Sequence, residues 1–174
     1  MRCLLPLVLV SLATAPMSDV LRVDPFGGGT HTDLQAAVDD AVDGDVILIR
    51  SVGTAYTHVE IVDKALTLSS DGPFTVLILG GITVRNIAAG DTVTLINLDG
   101  RGTDSASVWP ETDSHEGYGL LGRNIDGSLR VIGGEFEGGE GDGSACGEGK
   151  CAGHDNGWPG VRLDMVADAA LTGI

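Results

Sequence analysis

The chain contains 174 residues, of which 27 are glycine, whereas aromatic side chains make up only 4%. This composition favours an all-β domain with many turns over a helical bundle. Lys plus Arg number 10 against 25 Asp plus Glu, giving a formal net charge of -15, which excludes nucleic acid and anionic membrane surfaces as partners and would attract divalent cations.

The first segment has the pattern of a secretory signal peptide. A positive residue, Arg2, precedes an apolar run from Leu4 to Leu12, and Ala13-Thr14-Ala15 follows. This order predicts a signal over residues 1–15, extending to about residue 19 at most. The apolar run is shorter than the roughly 20 residues that span a bilayer. We therefore expect an exported protein, secreted or at the cell surface, with no membrane span.

The remainder, residues 20–174, predicts one domain that begins with a short strand at 20–23 and an amphipathic helix at 33–43. Thr32 is the expected N-cap, and Gln35 stands three residues later in the capping-box position. Gly44 is the expected residue after the helix C-cap. The apolar positions recur at helical spacing and form one stripe: Leu34, Ala37, Val38, Ala41 and Val42.

Everything after the helix reads as strand and turn. The predicted strands share β-branched or aliphatic residues bounded by Gly, Asp or Asn, and they cover 46–50, 65–69, 75–79, 82–87, 92–98, 118–121, 128–134, 160–164 and 169–174. Long loops are predicted at 99–117 and 138–159. A loose repeat links 91–102, 127–141 and 167–174, which indicates a solenoid whose strands pair in parallel with their equivalents one coil away.

A resemblance to a known family lies in residues 23–72. Right-handed parallel β-helix proteins of the pectin lyase-like superfamily open with a glycine-rich turn, a T-x-x-Q-x-A-[IV] helix, a G-D-x-[IV]-x-[IV] strand, a tyrosine segment and a K-x-[LI]-T-[LI] strand. The matching residues here are Thr32, Gln35, Ala37, Val38, Gly44, Asp45, Val46, Ile47, Tyr56, Lys64, Leu66, Thr67 and Leu68. The resemblance implies an all-β, right-handed parallel β-helix whose N-terminal helix blocks the exposed edge of the first coil.

The other end of this predicted solenoid has no cap in the sequence. The chain stops at "LTGI" (171–174), in what reads as the middle of a coil. Either the chain is truncated at its C-terminus, as a fragment of a longer product, or another chain covers the edge. We expect the first.

The resemblance also suggests carbohydrate chemistry. Pectin methylesterases of this superfamily use an aspartate pair with nearby glutamines, and no Gln follows Gln35 in this chain. Pectate-type lyases combine calcium, held by carboxylates, with a basic residue that removes a proton. The basic residues available for that role are Arg123, Arg130, Lys150 and Arg162, and nothing in the sequence distinguishes one of them from a surface residue.

Two histidines and an acidic loop are the other chemical candidates. His115 and His154 stand beside carboxylates, and together with Asp155 they form the candidate catalytic group; the alternative is that they are hydrated loop residues. Glu140, Asp142 and Asp155 supply the hard oxygen ligands that calcium prefers, although the spacing fits neither an EF-hand nor a β-roll repeat. A solvated acidic loop is the alternative.

Aromatic and cysteine residues in the loops suggest binding and cross-linking. Trp109, Tyr118 and Trp158 are candidates to stack on sugar rings, or else they fold over the domain as apolar cover. Cys146 and Cys151 remain as a pair once the signal has removed Cys3, and an exported protein favours a disulfide between them. A zinc site including His154 is the alternative, but no second pair of ligands follows the usual spacing.

These observations lead to two functional hypotheses. The first is a secreted or cell-surface β-helix protein that presents loops to a polysaccharide or a surface protein, with no catalytic site in this chain. The second is a carbohydrate-active enzyme, a polysaccharide lyase or a glycoside hydrolase acting on an acidic polysaccharide. Neither requires a cofactor, and calcium is the candidate ion.

Overall fold

The computed structural model describes residues 18–103, 117–139 and 160–173. Within these ranges the chain forms one helix and ten strands, which belong to one sheet. No described helix is long and apolar enough to cross a membrane. The elements are β1 Val20–Val23, α1 Leu34–Asp40, β2 Val46–Ile49, β3 Tyr56–Val62, β4 Thr67–Ser70, β5 Val76–Ile87, β6 Thr92–Ile96, β7 Leu98–Arg101, β8 Leu120–Ile132, β9 Phe136–Glu137 and β10 Val161–Thr172.

The described strand pairs are parallel and form three ladders. The first ladder runs through β1, β2, β4, β6 and the C-terminal parts of β8 and β10. The second joins the starts of β3 and β5 to β7 and β9. The third joins the later part of β3 to β5 and then to the N-terminal parts of β8 and β10. In each ladder the strands follow one another in chain order, which confirms the predicted all-β class with parallel pairing and one helix.

The core is built from side chains that alternate along each strand. In the first ladder, Ile47, Leu68, Leu95 and Val131 are register partners, and all four are 0% exposed. Successive side chains of a strand point to opposite faces, so every second residue joins this interior. Burying one such side chain stabilises the fold by about 1.5–3 kcal/mol. The stacked aliphatic columns are therefore the main source of stability.

Three long strands cross corners between ladders. The segments predicted as separate strands at 75–79 and 82–87 are one strand, β5, and it bends at Gly80 and Gly81, whose φ angles are +88° and +72°. A Cβ atom at Gly81 would collide with the carbonyl oxygen of Tyr118. Only glycine combines this conformation with this close approach. Similarly, β8 and β10 each join two predicted strands.

A column of left-handed residues marks the corner between the third and first ladders. Asp63, Asn86, Asn124 and Met165 directly follow register partners of the third ladder, and their φ angles lie between 52° and 59°. Asn124 Nδ2 donates a hydrogen bond to Asn86 Oδ1 at 3.3 Å. Asn and Asp tolerate this conformation better than other side chains. Met165 is the exception in the column, and it is 75% exposed.

The helix is shorter than predicted, and its cap is a different residue. Asp33 is the N-cap, because its backbone is extended and its carboxylate accepts a hydrogen bond from the Ala36 amide at 2.8 Å; Thr32 was the wrong residue. The helix ends at Asp40, and the extended backbone of Ala41 carries Val42 out to solvent. Gly44 has φ +91° in the turn beyond. The predicted range of 33–43 was therefore too long at its C-terminal end.

Gln35 does not form the predicted capping box. Its side chain contacts β3 instead, a strand that pairs only with β5 in the described ranges. Its Nε2 atom donates to the carbonyl of Glu60 at 3.1 Å, and its Oε1 atom accepts from the Glu60 amide at 2.8 Å. Lys64 Nζ donates to the carbonyls of Val38 and Asp39 at the end of the helix, at 2.7 Å each. The helix is thus bonded to the backbone of the sheet edge as well as packed on the core.

Candidate functional site

Most of the predicted site residues lie outside the described ranges. The residues concerned are Trp109, His115, Glu140, Asp142, Cys146, Lys150, Cys151, His154, Asp155 and Trp158. Their catalytic, calcium-binding, sugar-binding and disulfide roles stay predictions. The structure describes four of the predicted residues: Tyr118, Arg123, Arg130 and Arg162. Of these, Tyr118, Arg123 and Arg162 lie close together. Arg130 lies on the first ladder, exposed to solvent.

The described residues that flank 104–116 and 140–159 lie at one corner, between the second and third ladders. The Gly102 amide donates to the Glu137 carbonyl at 2.8 Å, and the Gly139 amide donates to the Gly117 carbonyl at 2.9 Å. The Leu120 amide donates to the Gly160 carbonyl at 2.8 Å. These bonds connect the described residues that flank both segments. The described residues on either side of these two segments are therefore neighbours in space, although they are far apart in sequence.

Tyr118 and Arg162 meet at this corner. Arg162 Nη1 donates to the Tyr118 hydroxyl at 2.6 Å, and the guanidinium carbon lies 5.4 Å from the centre of the ring. Tyr118 is only 4% exposed, so little of its ring is available to stack on a sugar, and its role in substrate binding stays a prediction. Asp164 Oδ2 lies 2.8 Å from Arg162 Nε and 3.6 Å from Arg123 Nε. The corner thus carries a compact cluster of aromatic, basic and acidic groups.

The environment of Arg162 does not suit the role of a general base. The hydrogen bond with the Tyr118 hydroxyl raises the pKa of Arg162 most, and the charge of Asp164 raises it further, against the opposite effect of burial. A general base has to lose its proton near the working pH. Arg162 stays protonated instead, and it already pairs with the Tyr118 hydroxyl and with Asp164.

The arginines continue along the third ladder. Arg85 on β5 is the register partner of Arg123 on β8, and Arg123 is the register partner of Asp164 on β10. Arg85 Nε lies 2.7 Å from Glu60 Oε1. We call Arg85, Arg123 and Arg162 the arginine strip. The acids that pair with it in the described contacts are Glu60 and Asp164.

The arginine strip was only partly predicted from the sequence. Arg123 and Arg162 were candidates as isolated basic residues, and Arg85 was not. The signal that could have found Arg85 is a repeated tripeptide, Arg-Asn-Ile, at 85–87 and 123–125. The structure places these two tripeptides in register, with Ile87 paired to Ile125.

Thr83 lies on the same strand as Arg85, two residues before it, and therefore on the same face. It is 4% exposed, and its Oγ1 atom is buried with no hydrogen-bond partner in the described part of the chain. Its register partner on β8, Leu121, is also buried. An unpaired buried hydroxyl costs about 1–3 kcal/mol. The fold tolerates this loss of stability at Thr83.

A second polar group lies near the helix, where the first ladder turns into the second. A shallow pocket of about 320 Å³ is lined by residues that include two arginines and two aspartates. Arg50 Nη1 lies 2.5 Å from Asp24 Oδ2, and Arg22 Nη2 lies 2.6 Å from Asp71 Oδ2. The charges are balanced in pairs. This group therefore connects β1, β2 and the turn after β4 without an excess charge for a ligand.

Hydrogen bonds keep Asp24 ionised in that pocket. The Phe26 amide lowers the pKa of Asp24 most, and the hydrogen bond from Arg50 lowers it further. Next to it, the Tyr56 hydroxyl donates to the Arg50 carbonyl at 2.7 Å. Burial is the main cause that raises the pKa of Tyr56. These interactions stabilise the glycine-rich turn at 27–29 against the first strands.

Within residues 18–103, 117–139 and 160–173, no group of three His, Cys, Asp or Glu side chains is arranged to hold a metal ion. The calcium ligands predicted from the sequence lie outside these ranges. The described site is therefore a cluster of aromatic, basic and acidic groups near the residues that flank 104–116 and 140–159.

No protein-family model matches the chain, and neither a curated protein nor a solved structure matches it. Its function is therefore inferred from its own residues.

Proposed function

We propose that this chain is an exported right-handed parallel β-helix that binds a polysaccharide through two loops at one corner. The solenoid interpretation is supported by three parallel ladders whose strands follow chain order. The family resemblance in residues 23–72 supports the same winding, and the charged and apolar pattern of residues 1–15 supports export. Binding rather than catalysis is proposed because Arg162, the candidate base in the described cluster, stays protonated.

The observation on which this function depends is the shared root of the two loops. Hydrogen bonds hold Gly102 to Glu137 and Gly139 to Gly117, so the described residues that flank 104–116 and 140–159 are adjacent. Trp109 lies in the first segment and Trp158 in the second. Aromatic side chains offer a broad apolar surface with a polar edge, which suits the faces and hydroxyls of sugar rings. Loops on a rigid scaffold are a common location for binding sites.

The second loop also contains the proposed cross-link and ion site. We propose a disulfide between Cys146 and Cys151, and calcium binding by Glu140, Asp142 and Asp155. A disulfide there would restrict the loop, and calcium would neutralise some of its negative charge before an acidic polymer approached. A surface protein is the alternative partner for the same loops.

A carbohydrate-active enzyme is the second candidate function. His115 lies in the first loop and His154 and Asp155 in the second, and the adjacent loop roots favour their approach. A glycoside hydrolase would need two carboxyl groups on either side of the bond that is cleaved. A lyase would need a base beside a group that neutralises the substrate carboxylate.

Binding to a panel of polysaccharides tests the proposed function. The mature protein would be titrated with polygalacturonate, alginate and dextran by calorimetry, with calcium and with a chelator. Variants with 104–116 or 140–159 replaced by a glycine-serine linker are expected to lose binding, whereas Arg130→Gln keeps it. If both loop variants bind as the unaltered protein does, the loops are not the binding surface.

The same samples distinguish the enzyme from the binding protein. A lyase would release unsaturated products that absorb in the ultraviolet, and a hydrolase would release new reducing ends. We expect binding with neither product. Product formation that His154→Ala abolishes would establish the enzyme and overturn the non-catalytic proposal.

A further inference from the structure

We propose that Asp71-Gly72 is a site of spontaneous covalent modification, at which the aspartate converts to isoaspartate through a cyclic imide. This inference does not depend on the proposed function. The Asp-Gly dipeptide suits the reaction because glycine has no side chain to hinder attack by its own amide. The described ranges contain four such dipeptides: Asp43-Gly44, Asp71-Gly72, Asp99-Gly100 and Asp126-Gly127.

The reaction consumes and releases only water. The amide nitrogen of Gly72 attacks the side-chain carbon Cγ of Asp71, a C–N bond forms, a C–O bond of the carboxyl group breaks, and water leaves. Water then opens the imide at one of its two carbonyl carbons. Opening at the original peptide carbon leaves the main chain linked through Cγ, which is isoaspartate, whereas opening at Cγ restores aspartate. The first step needs a glycine amide without a hydrogen-bond acceptor and a backbone that can rotate.

Two of the four dipeptides are blocked by hydrogen bonds to both reacting groups. At Asp43-Gly44, the glycine amide donates to the Ala65 carbonyl at 2.7 Å, and the aspartate Oδ1 accepts from the Ala65 amide at 2.9 Å. Asp99-Gly100 makes the same pair of bonds with Glu135, at 2.9 Å and 2.8 Å. Both bonds have to break before the glycine nitrogen can attack.

A third dipeptide, Asp126-Gly127, is blocked by packing. Its glycine is buried within β8. A Cβ atom at this glycine would collide with the carbonyl oxygens of Asp91 and Ala88. A backbone enclosed so closely can rotate into the geometry of the ring only when the strand opens locally.

Asp71-Gly72 differs from the other three because it lies in an exposed turn between β4 and β5. Residues 71–75 are all exposed, and a Cβ atom at Gly72 would meet no heavy atom within 4 Å. In the described part of the chain, no hydrogen bond engages the Gly72 amide. The nucleophile is therefore accessible, and the backbone around it has room to rotate.

The carboxylate of Asp71 is restrained by an exposed ion pair. Its Oδ2 atom lies 2.6 Å from Arg22 Nη2, and the two side chains are 34% and 56% exposed. Exposed pairs of this kind are weak, so the pair slows the reaction without preventing it. Conversion to isoaspartate would also displace the carboxylate that connects this turn to β1. The modification would therefore alter a contact of the helix end of the sheet.

Peptide mapping of aged protein tests the proposal. The folded protein would be stored at body temperature in mildly acidic buffer, and isoaspartate would be quantified in each peptide by mass spectrometry with electron-transfer fragmentation. We expect about tenfold more isoaspartate at Asp71 than at Asp43, Asp99 or Asp126, because these three react only after local opening. Peptides from 140–159 are quantified separately, since that segment contains another Asp-Gly and an Asn-Gly.

The same measurement in urea separates structure from local sequence. In the unfolded chain, all four dipeptides lose their tertiary contacts, so the preference for Asp71 over Asp99 should disappear. A preference that persists unchanged in urea would show that the fold does not select the site, and it would overturn the proposal.

Two variants test the roles of the individual groups. Arg22→Gln releases the carboxylate and is expected to increase conversion at Asp71 about twofold or more, in keeping with a weak ion pair. Asp71→Glu keeps the charge but would have to close a larger ring, so isoaspartate-type conversion at this position should be lost. Circular dichroism and melting temperatures verify that both variants are folded. The proposal is also overturned if Asp71 converts no faster than Asp99 in the folded protein, or if Arg22→Gln slows conversion.

Discussion

The two ends of the described sheet are finished in different ways. At one end α1 covers the first strands, and Leu34, Ala37 and Val38 are buried against them. At the other end lies β10, which pairs only with β8 in the described residues. Its interior position Leu171 is 39% exposed, whereas the equivalent Val131 one strand earlier is 0% exposed. We call these the helix end and the β10 end.

At the helix end, two separate interactions cover the edge of the sheet. Apolar side chains of α1 remove the first aliphatic layer from water, and Gln35 satisfies the free amide and carbonyl of Glu60. Apolar cover alone would leave these two backbone groups without partners at a buried edge, at a cost of about 1–3 kcal/mol for each. At the β10 end the described residues provide neither interaction.

The largest expected effect comes from truncating a buried side chain at the helix end. Leu34→Ala should destabilise the protein by about 2–5 kcal/mol, because it removes buried contacts and leaves a cavity. The matched change at the other end, Leu171→Ala, should cost less than about 1 kcal/mol, since that side chain already contacts water. Urea denaturation measures both. Equal losses would show that the two ends do not differ as described.

A smaller effect is expected from the hydrogen bonds of Gln35. Gln35→Ala should destabilise the protein by about 1–3 kcal/mol, because it leaves the Glu60 amide and carbonyl without partners. Asp39→Ala is the control: it removes only the exposed contact of Gln35 with Asp39 and should cost less than about 0.5 kcal/mol. If the control is as harmful as Gln35→Ala, the backbone bonds to β3 are not what stabilises the edge.

A stabilising change is expected near the β10 end. Met165→Asn places a residue that tolerates left-handed backbone at φ +53° and extends the column formed by Asn86 and Asn124. The expected gain is about 0.5–1 kcal/mol, measured as a higher melting temperature. A gain could come from the left-handed preference of Asn or from the loss of an exposed methionine. Met165→Ala separates these two causes, because alanine removes the methionine but lacks the preference of Asn for this conformation. A gain as large with alanine would contradict the conformational explanation.

The smallest expected effect is a loss of folding stability in acid, caused by Asp24 at the helix end. Hydrogen bonds from the Phe26 amide and Arg50 lower the pKa of Asp24 below its usual value of 3.8. Its contribution to stability is therefore present above pH 3.8 and is lost as the pH falls through the lower folded value. The stability advantage of the unaltered protein over Asp24→Asn should shrink below that pH. An advantage that stays constant on acidification would exclude this linkage; Asp71→Asn serves as the exposed control.

The parts of the fold that depend on local pattern could be predicted from the sequence. The stripe of Leu34, Ala37 and Val38 predicted a helix, and the aliphatic runs predicted most strands. The prediction of Thr32 as the N-cap was wrong, because the carboxylate of the neighbouring Asp33 accepts the hydrogen bond from the first turn of the helix. The capping-box role of Gln35 failed because its partner, Glu60, is 25 residues away in sequence. Tertiary contacts of that kind have no local signal.

The site could be predicted less well, because it depends on register. Arg123 and Arg162 are ordinary basic residues until strand pairing places them beside Arg85 and Asp164. The short strand β9 and the strand β3 were also missed, since Phe136–Glu137 is too brief for a pattern and the start of β3 is polar. The predicted loop residues His115, Trp109, His154 and Trp158 lie outside the described ranges and stay predictions.

The parallel register has a consequence for the order in which the protein folds. No strand in the described ranges pairs with its neighbour through a tight hairpin. Each described strand pairing must therefore first close a loop of 20 or more residues. Between register partners of the first ladder, the stretch of chain from Val46 to Thr67 is the shortest. The stretch from Ser128 to Asp168 is the longest. Closure is least costly in entropy near the N-terminus, so assembly should nucleate there and grow toward the C-terminus. Such growth would match the direction of ribosomal synthesis, with each completed circuit serving as the template for the next.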